Sequence, residues 1–193
     1  MKSTLRWLAP MLFVFTWLFV AEAGQSSGAE IKPRDSNETL LAALPEATWV
    51  ADGQGRRIVY IFFDPNCPSC QLLYRNLRTF VASQGLQVRW IPVAIVNATS
   101  EGKAAAILQA QDRHAALRRN EEHYGNESYS GGIEEDIPSR ATEQKLRANE
   151  QLLNRLDIPV VPSMLFADKQ GHAVLIQGAL SPLALRKVFA RLP

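Results

Sequence analysis

The chain has 193 residues, 21 Lys and Arg against 19 Asp and Glu, and a formal net charge of +2 at pH 7. Near-balanced, dispersed charge offers no basic surface for nucleic acid. A chain of this length can bury a full core as one domain, and two cysteines are too few for a disulfide framework.

The N-terminus carries a processing signal. Lys2 and Arg6 form a positive n-region, Trp7 to Val20 is apolar apart from Thr16, and Ala21-Glu22-Ala23 is an A-x-A cleavage site. The apolar run is too short to span a bilayer comfortably and Pro10 interrupts it. Residues 1–23 are therefore predicted to be a signal peptide cleaved after Ala23, with export to an oxidising compartment. No cysteine precedes Cys67, which excludes a lipid anchor on an N-terminal cysteine. Residues 24–44 read as a flexible leader and a short linker helix. The helix spans Ser36 to Ala43, with Leu40, Leu41 and Leu44 as its apolar face, and Pro45 ends it.

Trp49 and Val50 suggest a short strand before the turn Asp52-Gly-Gln-Gly55. Ile58 to Phe63 is an unbroken apolar run that suits a strand buried on both faces. Asp64-Pro65-Asn66 ends it. Cys67 then falls where a helix begins, with Pro68 at the first helical position. Leu72, Leu73, Leu77, Phe80 and Val81 follow at helical spacing, and Gly85 fits the C-terminal cap. Leu86 to Val96 is a second strand, in which Pro92 implies a bulge or an exposed edge. Strand, helix and strand make a right-handed βαβ unit with parallel strands.

Residues 97–157 carry no convincing strand. Lys103 to Arg119 reads as helix, Asn126 to Pro138 as loop, and Thr142 to Leu156 as a helix with Leu146, Leu152, Leu153 and Leu156 on its buried side. This helical insertion, at about 98–157, either serves function or covers the sheet. Ile158-Pro-Val-Val-Pro-Ser163 precedes the strand Met164-Leu-Phe166. Asp168-Lys-Gln-Gly171 is a hairpin loop, Ala173 to Ile176 the partner strand, and Ser181-Pro182 caps a last helix through Leu185, Val188 and Phe189.

The chemistry lies in Cys67-Pro-Ser-Cys70. The first turn of a helix has unpaired N–H groups and the positive end of the macrodipole, and both favour a thiolate. Cys67 should therefore have a lowered pKa and act as a nucleophile. Cys70, one turn on along the same face, can attack a mixed disulfide at Cys67 and release the substrate. C-x-x-C also occurs in zinc sites, but no other cysteine exists, and His114, His123 and His172 lack ligand spacing. A structural disulfide between residues three apart would close too small a loop to constrain the unfolded chain. No metal or other cofactor is implied. Three N-x-S/T triplets, at Asn37, Asn97 and Asn126, read as chance matches.

The order β-α-β, helical insertion, proline, β-β-α with C-x-x-C opening the first helix resembles the thioredoxin fold, an α/β class. The stretch Ile58 to Cys70, Ala104-Ala-Ala-Ile-Leu108, Thr142-Glu-Gln144, Asn149-Glu150 and Val160-Val-Pro-Ser163 resembles the DsbG/DsbC family of periplasmic thiol:disulfide interchange proteins. The resemblance makes residues 45–193 a thioredoxin-like catalytic domain in the periplasm. It implies Cys67 as attacking and Cys70 as resolving cysteine, and Pro162 as a cis-proline opposite them. The backbone of Val161 would then be free to bind a substrate peptide. Partners would be proteins with cysteines or disulfides and a membrane reductase of the DsbD type.

Departures from that family matter. The family's N-terminal dimerisation domain has no counterpart in the short leader, which implies a monomer. Ser69 stands where DsbG-type motifs carry tyrosine. With neither Pro68 nor Ser69 ionisable, the Cys67 thiolate is predicted to depend mainly on helix-terminus N–H groups. Thioredoxin places a buried acid six residues before its first cysteine, where Ile61 stands here. Asp64 could relay a proton to Cys70, but its turn-forming character favours a turn or cap role. The first reading is a reductase or isomerase. The alternatives are an oxidant or isomerase dedicated to one secretion or transfer system, and a chaperone or peptide-binding module with incidental cysteines.

Overall fold

Five strands form one sheet in the order β1-β3-β2-β4-β5, and β2 (Arg57–Phe63) takes its centre. Its residues alternate between two cores. Val59, Ile61 and Phe63 enter one hydrophobic cluster, while Tyr60 and Phe62 enter the other. An apolar run with both faces buried belongs in the middle of a sheet, where neither face meets water. The computed structural model of the chain describes residues 36–125 and 130–193. The signal peptide, the leader through residue 35 and the Asn126 triplet lie outside the described residues.

β3 (Leu86–Pro92) runs parallel to β2 from Arg57↔Leu86 to Phe63↔Pro92. The connection is α2 (Pro68–Ser83), which packs back on the sheet. Gln84 caps α2, and Gly85 follows at φ +59, the left-handed turn a glycine adopts without strain. β4 (Ser163–Ala167) pairs antiparallel with β2, and β5 (Ala173–Gln177) with β4. On the far side β1 (Val50–Asp52) pairs antiparallel with β3.

Pro92 departs from the sequence reading. β3 is an interior strand, and Pro92 is its last residue rather than a bulge or an exposed edge. β1 pairs only as far as Trp90, so no partner N–H is needed from Pro92 on that side. Its carbonyl accepts from Asn149 Nδ2 at 2.9 Å, and Val93 to Val96 leave the strand.

The insertion also differs. The single helix expected over Lys103 to Arg119 is two, α3 (Ser100–Gln109) and α4 (Arg113–Glu122). Ala110 turns extended, and the Asp112 side chain accepts from Ala115 N at 2.9 Å, starting a new helix. α5 (Arg140–Leu153) begins two residues earlier than expected, because Ser139 caps it by accepting from Thr142 N.

α2, α3, α4 and α6 (Pro182–Phe189) bury side chains in the first cluster, on one side of the sheet. Tyr74 of α2 and Phe63 of β2 both lie 5.6 Å from Trp90 of β3, ring to ring, which seats α2 against the two parallel strands. The second cluster joins Tyr60, Phe62, Ile91, Val93 and Leu165 to Leu153, Leu156 and the N-terminal helix α1 (Asn37–Ala43). Leu40 is 1% exposed, and Leu44, in the following 3-10 turn, has no exposure. The segment read as a linker helix is thus built into the domain, and it closes the second face of the sheet.

Leu40→Ala should therefore destabilise the protein by about 2–5 kcal/mol, the cost of a core cavity. Denaturant unfolding measures it. A helix that merely linked two parts would lose almost nothing.

Candidate functional site

β2 and β3 are parallel, so their carboxyl ends lie side by side. The turn leaving β2 begins at Asp64, whose carboxylate has no exposure. Oδ2 accepts from the N–H groups of Ile95 (2.7 Å) and Val96 (2.9 Å), in the chain that leaves β3. Oδ1 accepts from Asn66 N and from Ser100 Oγ, both at 2.8 Å. With its lone pairs committed in this way, Asp64 fastens two turns together and is not the proton relay for Cys70. Neither does it cap α2.

The N-cap of α2 is Cys67 itself, with extended backbone at φ −85 and ψ 114. Its Sγ accepts from Cys70 N at 3.2 Å, and Pro68 occupies the first helical turn, where a missing N–H is harmless. The two cysteines are free thiols here. Cys67 keeps 6% exposure and Cys70 none, while Pro68 and Ser69 between them are exposed. Both cysteines are buried, and Cys67 is the less buried of the two.

On the other side of β2, β4 starts at Ser163, which pairs with Phe62. Antiparallel register brings residues 161 and 162 beside the turn after β2. The Val161–Pro162 peptide bond is cis. The Val161 carbonyl accepts from the Cys67 thiol at 3.7 Å. Ser163 Oγ donates to Val160 O at 2.6 Å and Gly178 N to Pro162 O at 2.8 Å, so this loop is braced on both sides. The structure therefore brings Asp64, Cys67, Cys70, Val161 and Pro162 to one end of the sheet.

The two sulfurs are pushed in opposite directions. The Cys70 thiol hydrogen-bonded to Cys67 holds the Cys67 pKa below that of an ordinary thiol, the N–H groups of Cys70 and Ser69 add to the effect, and burial and the Asp64 charge oppose it. The leading influence is thus the second cysteine, where the sequence pointed to the helix N–H groups. Burial holds the Cys70 thiol well above its ordinary range, and its hydrogen bond to Cys67 and the Cys67 charge push the same way.

One buried acid was missed in the sequence. Glu121, at the end of α4, is 1% exposed, and burial pushes its carboxyl up to about 8. Leu117, Asn120 and Glu121 stand at i, i+3 and i+4 and are all buried. That spacing was visible, but a run of arginine, asparagine and glutamate looks like a solvated face. Asn120 Nδ2 donates both to Pro65 O and to Glu121 Oε1, each at 3.0 Å, and ties the acid to the cysteine turn. Asn66 completes the junction. Its Oδ1 accepts from Gly131 N at 3.1 Å, and its carbonyl accepts from Tyr124 Oη at 3.0 Å. A Cβ at Gly131 would lie 2.0 Å from Asn120 Oδ1 and 2.4 Å from Pro65 O, so only glycine fits there.

Among the described residues no group of three or more His, Cys, Asp or Glu side chains is arranged to hold a metal ion.

The sequence profile of the thioredoxin-like domain family matches residues 44–193. The thiol:disulfide interchange protein DsbG of Pseudomonas aeruginosa is 31% identical over 147 residues, which is 75% of this chain and 56% of that protein. The chain spans about half the length of the curated relatives it matches. Among solved structures, a linker-deletion mutant of Proteus mirabilis ScsC superposes with a TM-score of 0.66 at 16% identity, covering 80% of this chain and 81% of that one. A periplasmic thioredoxin-like protein from Salmonella enterica serovar Typhimurium gives a TM-score of 0.59 at 19% identity, covering 80% of this chain and 94% of that one.

Because the Cys70 thiol is the largest influence on Cys67, Cys70→Ala should raise the pH midpoint of Cys67 alkylation by iodoacetamide. The sign for stability follows from the same shift. A thiol whose pKa is lowered on folding stabilises the fold fully above its unfolded pKa, and loses that contribution as pH falls through the folded pKa. Removing Cys70 should shrink this gain in the reduced protein, which urea unfolding across pH will measure.

Proposed function

We propose, from the premise that the chain belongs to the thioredoxin-like domain family, that it is a thiol:disulfide oxidoreductase acting on protein cysteines, of the reductase or isomerase type. The observation that carries this is the seat of Cys67. It is a sulfur at the edge of the core, less buried than Cys70, that caps a helix with a pKa below the ordinary thiol range, beside the carbonyl of Val161.

The Cys67 thiolate attacks one sulfur of a substrate disulfide. A mixed disulfide forms and the other substrate sulfur leaves as a thiolate. Cys70 then loses its proton and attacks the Cys67 sulfur. The Cys67–Cys70 disulfide forms, and the remaining substrate sulfur departs. The substrate disulfide is reduced to two thiols while the protein dithiol is oxidised to a disulfide, so electrons balance. In isomerisation the departing thiolate attacks elsewhere in the substrate, and Cys67 is released reduced.

Val161 is the substrate-binding position in this reading. Its backbone meets the extended peptide that carries the target sulfur, next to Cys67. Pro162 opens β4 behind it, and Pro68 and Ser69 form the exposed rim between the sulfurs. Neither adds a charge to the thiolate, so the potential of the pair is less oxidising than that of the strongest oxidants of the family. A membrane reductase of the DsbD type supplies electrons, and the signal at residues 1–23 delivers the enzyme to the periplasm. Likeness to DsbG and to a periplasmic thioredoxin-like protein supports the periplasmic assignment.

Insulin reduction in the presence of dithiothreitol is the test. The wild-type chain should accelerate it, and Cys67→Ser should abolish the acceleration. Cys70→Ser should instead retain substrate as a mixed disulfide on Cys67, visible on non-reducing gels. Equal insulin turbidity curves with and without Cys67 would leave the cysteines incidental and point to a peptide-binding module.

A further inference from the structure

Cys70 must give up a proton before it can resolve a mixed disulfide, yet its side chain has no solvent exposure. The acid expected beneath the cysteines of a thioredoxin is absent, since Ile61 packs there in the core, and Asp64 is consumed by backbone and hydroxyl donors. A different carboxyl is buried nearby. Glu121 lies on α4, which packs against α2, and the Glu121 carbonyl accepts from the side chain of Gln71, the residue after Cys70, at 3.4 Å. Asn120 fixes Glu121 Oε1 while also donating to Pro65 O, two residues before Cys67. The other oxygen, Oε2, is buried and has no hydrogen-bond partner among the described residues. A buried carboxylate with a vacant lone pair is costly to keep unless it has work to do or carries a proton.

We propose that Glu121 is the proton relay of Cys70, taking up the thiol proton as Cys70 attacks the mixed disulfide. This rests on the oxidoreductase reading and deepens it. The step balances as follows. The Cys70 S–H bond breaks and its proton passes to Glu121. The Cys70 sulfur bonds to the Cys67 sulfur, and the bond between Cys67 and the substrate breaks with its electron pair on the substrate thiolate. Glu121 afterwards releases the proton to solvent, where the leaving thiolate is protonated.

The surrounding charges time this transfer. The charges that raise Glu121 are those of Cys67 at the start of α2 and Asp64 in the turn after β2, and Glu121 in turn raises Cys70, Tyr74 further along α2 and Tyr124 just after α4. Lys103 of α3 spends its ammonium on Gly131 O and Ser130 Oγ. The groups felt by Glu121 are thus acids. Burial is the main reason Glu121 holds a proton, and while Cys67 is a free thiolate its charge adds to that. Once Cys67 enters a mixed disulfide that charge is gone, and Glu121 ionises more readily when Cys70 needs a base.

Two measurements on the full chain test this. In single-turnover resolution of a mixed disulfide between Cys67 and a peptide thiol, Glu121→Gln should slow the step by about 10²-fold at neutral pH. The variant should also lose the carboxyl-dependent inflection of its pH profile, and Glu121→Asp should restore part of both. A Glu121→Gln profile that superimposes on an active wild type overturns the relay alone. A wild type that resolves no mixed disulfide overturns the oxidoreductase reading and the relay with it. The second measurement needs no variant. Carbon NMR of the Glu121 carboxyl should show titration near pH 8 in the reduced chain, moving to lower pH when Cys67 is alkylated. Titration in the ordinary carboxylate range, or no response to alkylation, overturns the proposal.

Discussion

The Asp64 carboxylate is buried at the carboxyl end of β2 and is held by the N–H groups of Ile95 and Val96 and the hydroxyl of Ser100. A charge buried without a cation is tolerated only when strong donors replace the water it lost. Here the donors come from the chain that leaves the neighbouring parallel strand. The bond set therefore joins the exits of β2 and β3 and leaves little freedom in where the next residues go. Asn66 extends the junction, with Nδ2 donating to Asn97 Oδ1 and Thr99 Oγ1, each at 2.8 Å. With both turns locked, Cys67 arrives in extended conformation above the first turn of α2 and can cap it with sulfur.

A sulfur in that position is set by its neighbours in the same turn. The Cys70 thiol holds the Cys67 pKa down most, and the backbone N–H of Cys70, which donates to Cys67 Sγ at 3.2 Å, adds to the effect, because a donor favours a thiolate over a thiol. The same hydrogen bond that steadies Cys67 keeps the proton on Cys70, and burial adds to that. The pair is thus split into a nucleophile and a reserve by geometry alone, without an ionisable residue between them. In the oxidoreductase reading proposed above, the less buried sulfur with the lowered pKa reacts first and Cys70 follows.

Much of this was legible in the chain. The apolar run Ile58 to Phe63, the turn at Asp64-Pro65-Asn66 and the proline after Cys67 mark strand, turn and helix by rules that need no tertiary context. Ser181 likewise marks a helix start by capping it, whereas the caps at Ser36 and Ser139, whose side chains also accept from a first-turn N–H, emerge only from the structure. What was hidden depends on distant partners. The break after Gln109 lies inside a helix-favouring composition, and only the Asp112 cap signals it. The interior place of Pro92 follows from β1 stopping at Trp90, which no local pattern encodes. α1 looked like a linker because its apolar stripe is short, and the sheet face that receives it is assembled from strands far along the chain.

The helical insertion is where local reading and tertiary structure part most. On the α2 side of the sheet β2 presents Val59, Ile61 and Phe63, all fully buried and apolar, so no acid can reach the cysteines from below. Any buried carboxyl beyond Asp64 has to come from the layer above. α4 occupies that place because Asp52 of β1 receives both Arg78 Nη1 of α2, at 2.8 Å, and His114 Nε2 of α4, at 3.2 Å. Those contacts lay α4 along α2. One face of α4 then turns inward, and Leu117, Asn120 and Glu121 go with it. A helix rich in arginine and glutamate thereby supplies a second buried acid on the cysteine side, after Asp64. The helix layer that covers the sheet on this side thus buries both Cys70 and Glu121.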